Sequence, residues 1–211
     1  MKKYIVEFIG TFFLVLGAAL YGGIGAGLAL MIMVYAGGHI SGAHYNPAVT
    51  LAVVLRGKAS VSAAVAYWIS QFLAAITAGL LVAFVFDKAG SAECIISADG
   101  IGKAIIAEVL GTFALAYVIL NVATTKGTSG NSFYGLAIGG TMLAMTLILG
   151  SFSGGAFNPA IALGLSIQKT FCWSQLWVYF VGCFAGGALA GIVFNYINED
   201  DKPAPPIPPA E

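Results

Sequence analysis

Charge is scarce in this chain. Only 9% of its 211 residues are Asp, Glu, Lys or Arg, nine acidic against nine basic, so the formal net charge is zero. Soluble domains carry about 25% charged residues, so a fully hydrated surface is excluded, and with it a soluble enzyme. Without a basic excess the chain also lacks the footprint of a nucleic-acid binder. Arginine occurs once, as Arg56, and the only prolines outside the last nine residues are Pro47 and Pro159. Three cysteines and two histidines show no metal-ligand spacing, so no metal or cofactor is expected. What is present is apolar: 59% hydrophobic residues, 28 glycines and a mean hydropathy of +0.93. That is too apolar for disorder and fits a membrane protein.

A membrane-crossing helix takes about 20 apolar residues. Runs near 4–21, 24–37, 60–86, 103–124, 132–150 and 173–197 predict six crossings, an all-α membrane protein. Lys2-Lys3 before an apolar run has the outline of a signal peptide, but Glu7 interrupts the run and its motif recurs downstream, so this run is read as a span. With both termini cytoplasmic, Lys2, Lys3, Arg56, Lys58, Lys126 and Lys202 lie inside and Lys88, Lys103 and Lys169 outside. The positive-inside rule favours that orientation, in a plasma or inner membrane. Residues 199–211 read as a Pro-rich cytoplasmic tail of polyproline II preference, either simply solvated or docking a partner.

The sequence repeats. Glu7-Phe-Ile-Gly-Thr-Phe12 returns as Glu108-Val-Leu-Gly-Thr-Phe113, and Asn46-Pro47-Ala48 returns as Asn158-Pro159-Ala160. Tyr67 and Tyr179, and Gly79 and Gly191, keep the same register from the Asn of their half. Each half, about 4–87 and about 103–198, holds three spans. An odd number of spans inverts the second copy in the membrane, an architecture whose sites lie at the repeat interface near the midplane.

Asn is a preferred helix N-cap and Pro a preferred first residue, so each Asn-Pro-Ala starts a helix. These helices run about ten residues, to Leu55 and Ile167, roughly 15 Å or half a bilayer. The Gly- and Ser-rich backbone before each Asn is tolerated at that depth only inside protein or along a wet cavity. Two re-entrant half-helices meeting N-terminus to N-terminus follow. With the Asn oxygens capping, the Asn NH₂ groups are expected as free donors. Carbonyls of Gly42, Ala43, His44, Gly154 and Ala156 are expected as acceptors along the lumen. Such a lining suits a neutral hydroxylic solute, and the two positive helix ends repel cations.

With these motifs, together with Gly38-His-Ile-Ser-Gly-Ala-His44, Gln71 and Gly186-Gly187, the chain resembles the major intrinsic proteins, the aquaporin and glycerol-channel family. The resemblance spans Tyr4 to Asn198 and implies an aquaporin-like channel domain over 1–198. It implies a pore in each protomer of a homotetramer embedded in lipid. It also implies a selectivity filter at Ala26, Thr146, Gly155 and Ile161, where the family carries an arginine at the last position. Here that residue is Ile161, and the aromatic residues usual at the others are missing. The expectation is a wide, uncharged filter. Two markers lean towards water instead: Ala162 where glycerol channels have Asp, and the aromatic pair Tyr179-Phe180.

The resemblance implies that Glu7 and Glu108 accept hydrogen bonds from the re-entrant loops, with proton or ion handling as the alternative. His39 is placed in the inner vestibule and His44 as a loop brace, a pH gate being the other option. Cys94 and Cys172 fall on the external side; free thiols are expected, the alternative being a disulfide between them, which needs an oxidising compartment and close Cα atoms. Function is read as a passive channel for water and small neutral solutes such as glycerol, urea or similar polyols and amides. The alternatives are a secondary transporter, or an ion-leaky or non-conducting structural homologue.

Overall fold

The structure is a computed structural model that describes residues 1–91 and 94–201; the segment 202–211, most of the Pro-rich tail, lies outside the described residues. Among the described residues seven α-helices occur, in the order α1 (Lys2–Ser41), α2 (Pro47–Leu55), α3 (Val61–Leu80), α4 (Ile101–Thr124), α5 (Tyr134–Ser153), α6 (Pro159–Ile167) and α7 (Leu176–Ile197). α1 is two spans. Forty residues of straight helix would run about 60 Å, twice the hydrocarbon thickness. The chain breaks at Tyr21 (φ −134°) and Gly22 (φ 57°, ψ −141°), where glycine adopts the left-handed region without steric penalty. It then reverses: a Cβ on Gly17 would lie 2.6 Å from the Gly25 carbonyl oxygen, whereas eight residues of helix would separate them by about 12 Å.

The crossings therefore number six, with α2 and α6 as half-helices. The second and fifth spans run further than their apolar runs, to Ser41 and Ser153. The extra turn ends the same way in each. Gly42 (φ 87°) and Gly154 (φ 89°) close left-handed caps, donating to Gly38 O at 2.9 Å and Gly150 O at 2.7 Å. The glycines that read as loop are helical because small residues let neighbours approach. α3 closes with a π-helical turn, Leu81–Val85.

The halves exchange their short helices: α2 of the first packs on α7 of the second, and α6 of the second on α3 of the first. The interior is built of small side chains, among them Ala48, Ala52, Ala74, Ala75, Ala78, Ala160, Ala162 and Ala190, while Ile69, Phe84, Ile106, Leu136, Leu147 and Ile192 point outwards. That distribution suits helices packed in lipid, where association depends on close approach.

Cys94 and Cys172 form a disulfide, with Cα atoms 5.2 Å apart, so the expectation of free thiols is corrected. The loop after α3 folds back over the end of α6. Gly90 N–H donates to Gln168 O at 2.8 Å, and the Gln168 amide donates to Lys88 O at 2.8 Å. These bonds bring together two cysteines 78 residues apart, a proximity that spacing alone could not reveal. Cys183, buried in α7, is free.

Two outcomes are expected. A Cβ at Gly79 would sit 2.6 Å from the Gly164 carbonyl oxygen, whereas at Gly102 it would meet nothing. Gly79→Ala should therefore destabilise the detergent-solubilised protein by about 1–3 kcal/mol, and Gly102→Ala should be neutral or slightly stabilising, as read by thermal unfolding. Alkylation should label one cysteine in the denatured, unreduced chain and all three after reduction. Three labelled before reduction would remove the disulfide.

Candidate functional site

Asn46 and Asn158 stand in extended backbone (φ −155° and −161°) at the starts of α2 and α6. Asn46 Oδ1 accepts from Ala48 N–H at 2.8 Å and Asn158 Oδ1 from Ala160 N–H at 2.9 Å. Each side chain also reaches across the repeat. Asn46 Nδ2 donates to Phe157 O and Asn158 Nδ2 to Tyr45 O, both at 2.9 Å. The expectation of a wholly free NH₂ is thus corrected: one N–H of each amide holds the opposite loop, and one remains. The loops before them carry left-handed non-glycine residues, Ala43, Tyr45 and Phe157, with φ 47–50°. Such residues cost about 1–3 kcal/mol each and persist only when the surroundings enforce them.

The enforcing groups are two buried carboxylates. Glu7 Oε1 accepts from Ser41 Oγ (2.7 Å) and His44 N–H (2.9 Å), and Oε2 from Tyr45 N–H (2.7 Å) and Gln71 Nε2 (2.9 Å). Glu108 Oε1 accepts from Ser153 Oγ (2.6 Å) and Ala156 N–H (3.0 Å), and Oε2 from Phe157 N–H (2.7 Å) and Cys183 Sγ (3.3 Å). Tyr67 and Tyr179 cap Ser41 O and Ser153 O, each at 2.6 Å. Ser41 and Ser153 open the two repeated Asn-Pro-Ala motifs of the sequence, and the structure adds their role as hydroxyl donors to Glu7 and Glu108. They keep the same separation as the two Asn residues.

This bracing sets the direction of the carbonyls. In a trans peptide the C=O points opposite the next N–H, and no peptide here is cis. The N–H groups of His44 and Tyr45 aim at Glu7, so the carbonyls of Ala43 and His44 point away from it. By the same geometry at Glu108, those of Gly155 and Ala156 point away. Ala43 and Gly155 donate to Ser41 Oγ (3.0 Å) and Ser153 Oγ (3.1 Å), which turns the carbonyls of Gly42 and Gly154 the same way. The carbonyls of Gly42 to His44 and of Gly154 to Ala156 thus face away from the carboxylates, whereas Tyr45 O and Phe157 O accept from the opposite Asn amide.

Of the four residues expected at the filter, Thr146 donates its hydroxyl to Met142 O at 2.9 Å and turns its methyl to Gly155, where a Cβ would lie 3.1 Å from it. Gly23, one turn before Ala26, also packs on Thr146. Ala26 and Ile161 are each 1% exposed. All four positions are uncharged; Ala26, Gly155 and Ile161 are buried and Thr146 is half-buried.

On the face carrying the N-terminus, a cavity of about 650 Å³ is lined by His39, Gly42, Lys58, Lys126 and Asn131, among others. His44 is buried, with Nδ1 3.1 Å from Thr50 Oγ1 and its ring against Tyr67. Arg56 is 1% exposed. Its guanidinium carbon lies 4.8 Å from the Phe194 ring centroid, and Nε and Nη1 have no hydrogen-bond partner. Lys169 is exposed on the opposite face, beside Gly90.

The sequence model of the family described as "Major intrinsic protein" matches residues 1–194. The chain is 36% identical to "Glycerol uptake facilitator protein-like 6" of Lactiplantibacillus plantarum, over 95% of this chain and 100% of that protein. It is 34% identical to "Probable aquaporin NIP4-2" of Arabidopsis thaliana, over 96% of this chain and 76% of that one. The X-ray structure of the aquaglyceroporin from Plasmodium falciparum superposes with a TM-score of 0.71 at 19% identity, covering 93% of this chain and 96% of that chain.

Replacing Glu108 by Gln keeps the shape but turns one acceptor into a donor facing a buried N–H or hydroxyl. Glu108→Gln should lower stability by about 1–3 kcal/mol and reduce solute flux. A variant with unchanged melting temperature and flux would show that Glu108 does not hold the loop.

Proposed function

The chain belongs to the major intrinsic proteins and is an integral membrane channel for water or small solutes; on that premise we propose that it passively conducts water and neutral molecules of glycerol or urea size through an arginine-free filter. The reciprocal clasp of Asn46 with Phe157 O and Asn158 with Tyr45 O carries this reading. It holds two helix N-termini together at mid-depth and leaves each amide one N–H between two rows of carbonyls. A neutral solute then exchanges its hydration for acceptors, donors and acceptors in turn, while two half-charges repel cations.

The filter is assigned to Ala26, Thr146, Gly155 and Ile161, the pore start to Asn46-Pro47-Ala48 and Asn158-Pro159-Ala160, and the inner vestibule to His39. Its walls are aliphatic except for one hydroxyl bound to Met142 O. Ala26 and Ile161 are each 1% exposed, so their side chains are packed mainly against neighbouring helices. Coupled transport is disfavoured because Glu7 and Glu108, the carboxylates within the spans, are saturated by loop donors.

The reading continues to a homotetramer with one pore per protomer, a channel domain over 1–198, and both termini in the cytoplasm. The excess of basic residues on the terminus face supports the orientation. So does the disulfide on the other face, since disulfides persist in oxidising compartments.

Stopped-flow swelling of proteoliposomes tests the proposal. Fast, non-saturating water flux with accompanying glycerol flux is expected. Ile161→Arg should lower the glycerol-to-water ratio by about tenfold, the scale on which small changes in a pocket discriminate, and Ile161→Ala should raise it. Saturating flux would point to a transporter, and an unchanged ratio in both variants would remove Ile161 from the filter.

A further inference from the structure

Beside the large cavity on the terminus face lie two more. One of about 390 Å³ is lined by Lys3, His39, Gly42, His44, Val53 and Lys58, among others. One of about 350 Å³ is lined by Lys3, Ser41, His44, Thr50 and Lys58, among others. Lys58 lines all three, and Lys3 and His39 line two each, so the cavities share walls and form one vestibule below the first re-entrant loop. Three lysines and two histidines line this space, and none of its lining residues is a carboxylate. The nearby acids are engaged: Asp201 accepts from the Lys126 backbone N–H, and Glu7 is held behind the loop by its four donors. Arg56, buried one turn beyond Val53 on α2, adds a charge with no carboxylate hydrogen-bonded to it. The filter at the other end of the path holds no cation at all.

We propose that Lys58, together with Lys3, forms a second cation barrier in addition to the half-helix N-termini, at the opposite end of the path from the filter position assigned to Ile161. The proposal rests on the passive-channel reading. A vestibule with low-dielectric walls focuses the field of its charges. One ammonium met at 4 Å in water lowers the local cation concentration by about fivefold. Neutral solutes do not feel that field, so discrimination falls on charge and not on size. Both lysines are exposed, so the barrier weakens with salt, whose screening length falls from about 30 Å at 0.01 M to about 3 Å at 1 M.

The test uses proteoliposomes of the full chain, with potassium efflux and water permeability measured on the same preparation. Lys3→Gln/Lys58→Gln should raise the potassium-to-water ratio by about fivefold or more per charge removed. Lys58→Glu should raise it further, and Lys58→Arg should keep the unsubstituted value. The unsubstituted ratio should itself climb between 0.01 M and 1 M salt. A ratio indifferent both to the Gln substitutions and to salt overturns the proposal while leaving the channel reading intact. Absence of water flux above empty vesicles overturns the channel reading, and this proposal with it.

Discussion

Everything here depends on keeping irregular backbone hydrogen-bonded in the middle of a membrane. The segments before Asn46 and Asn158 lack a helical ladder, and at that depth each unpaired amide would cost several kcal/mol. Two carboxylates resolve the problem, each placed one helix away and each taking a hydroxyl and two consecutive backbone N–H groups. A carboxylate is suited to this because it has only acceptors to offer. The same bonds force Ala43, Tyr45 and Phe157 into left-handed backbone and turn the carbonyls to the other side. Bracing and lumen chemistry are two faces of the same peptide planes.

The halves share geometry but not chemistry. His44, Thr50 and Gln71 of the first correspond to Ala156, Ala162 and Cys183 of the second. Gln71 bonds both Glu7 and Thr50, and His44 contacts Thr50, whereas Glu108 receives only a long contact from Cys183. One half is polar around its loop and opens on a lysine-lined vestibule. The other is aliphatic and leads to Ile161. The two halves of the inverted repeat are therefore alike in shape and unlike in polarity.

Much of this was legible in the sequence because it rests on local rules. Asn-Pro-Ala fixes cap and first turn without reference to anything distant, and the repeated Glu motif gave the second half from the first. What stayed hidden was long-range. That Gly38–Ser41 is helical depends on a left-handed cap at Gly42 and on close packing, not on hydropathy. The amide hydrogen bonds of Asn46 and Asn158 cross more than a hundred residues. The disulfide follows from a loop folding back over Gln168. The burial of Arg56 depends on Phe194, far along the chain. The burial of Ala26 and Ile161 depends on helices distant in sequence and has no signature in residue volume.

The reciprocal clasp also bears on how the molecule is made. As the chain emerges, Asn46 is in place long before Phe157, the group its amide must hold, has been synthesised 111 residues later. The first re-entrant loop thus stays incomplete through the insertion of the fourth and fifth spans. Its last hydrogen bond forms in the same event that completes the second loop. The two halves cannot clasp until both loops have been synthesised, so a chain that ends before Phe157 lacks both cross-repeat hydrogen bonds.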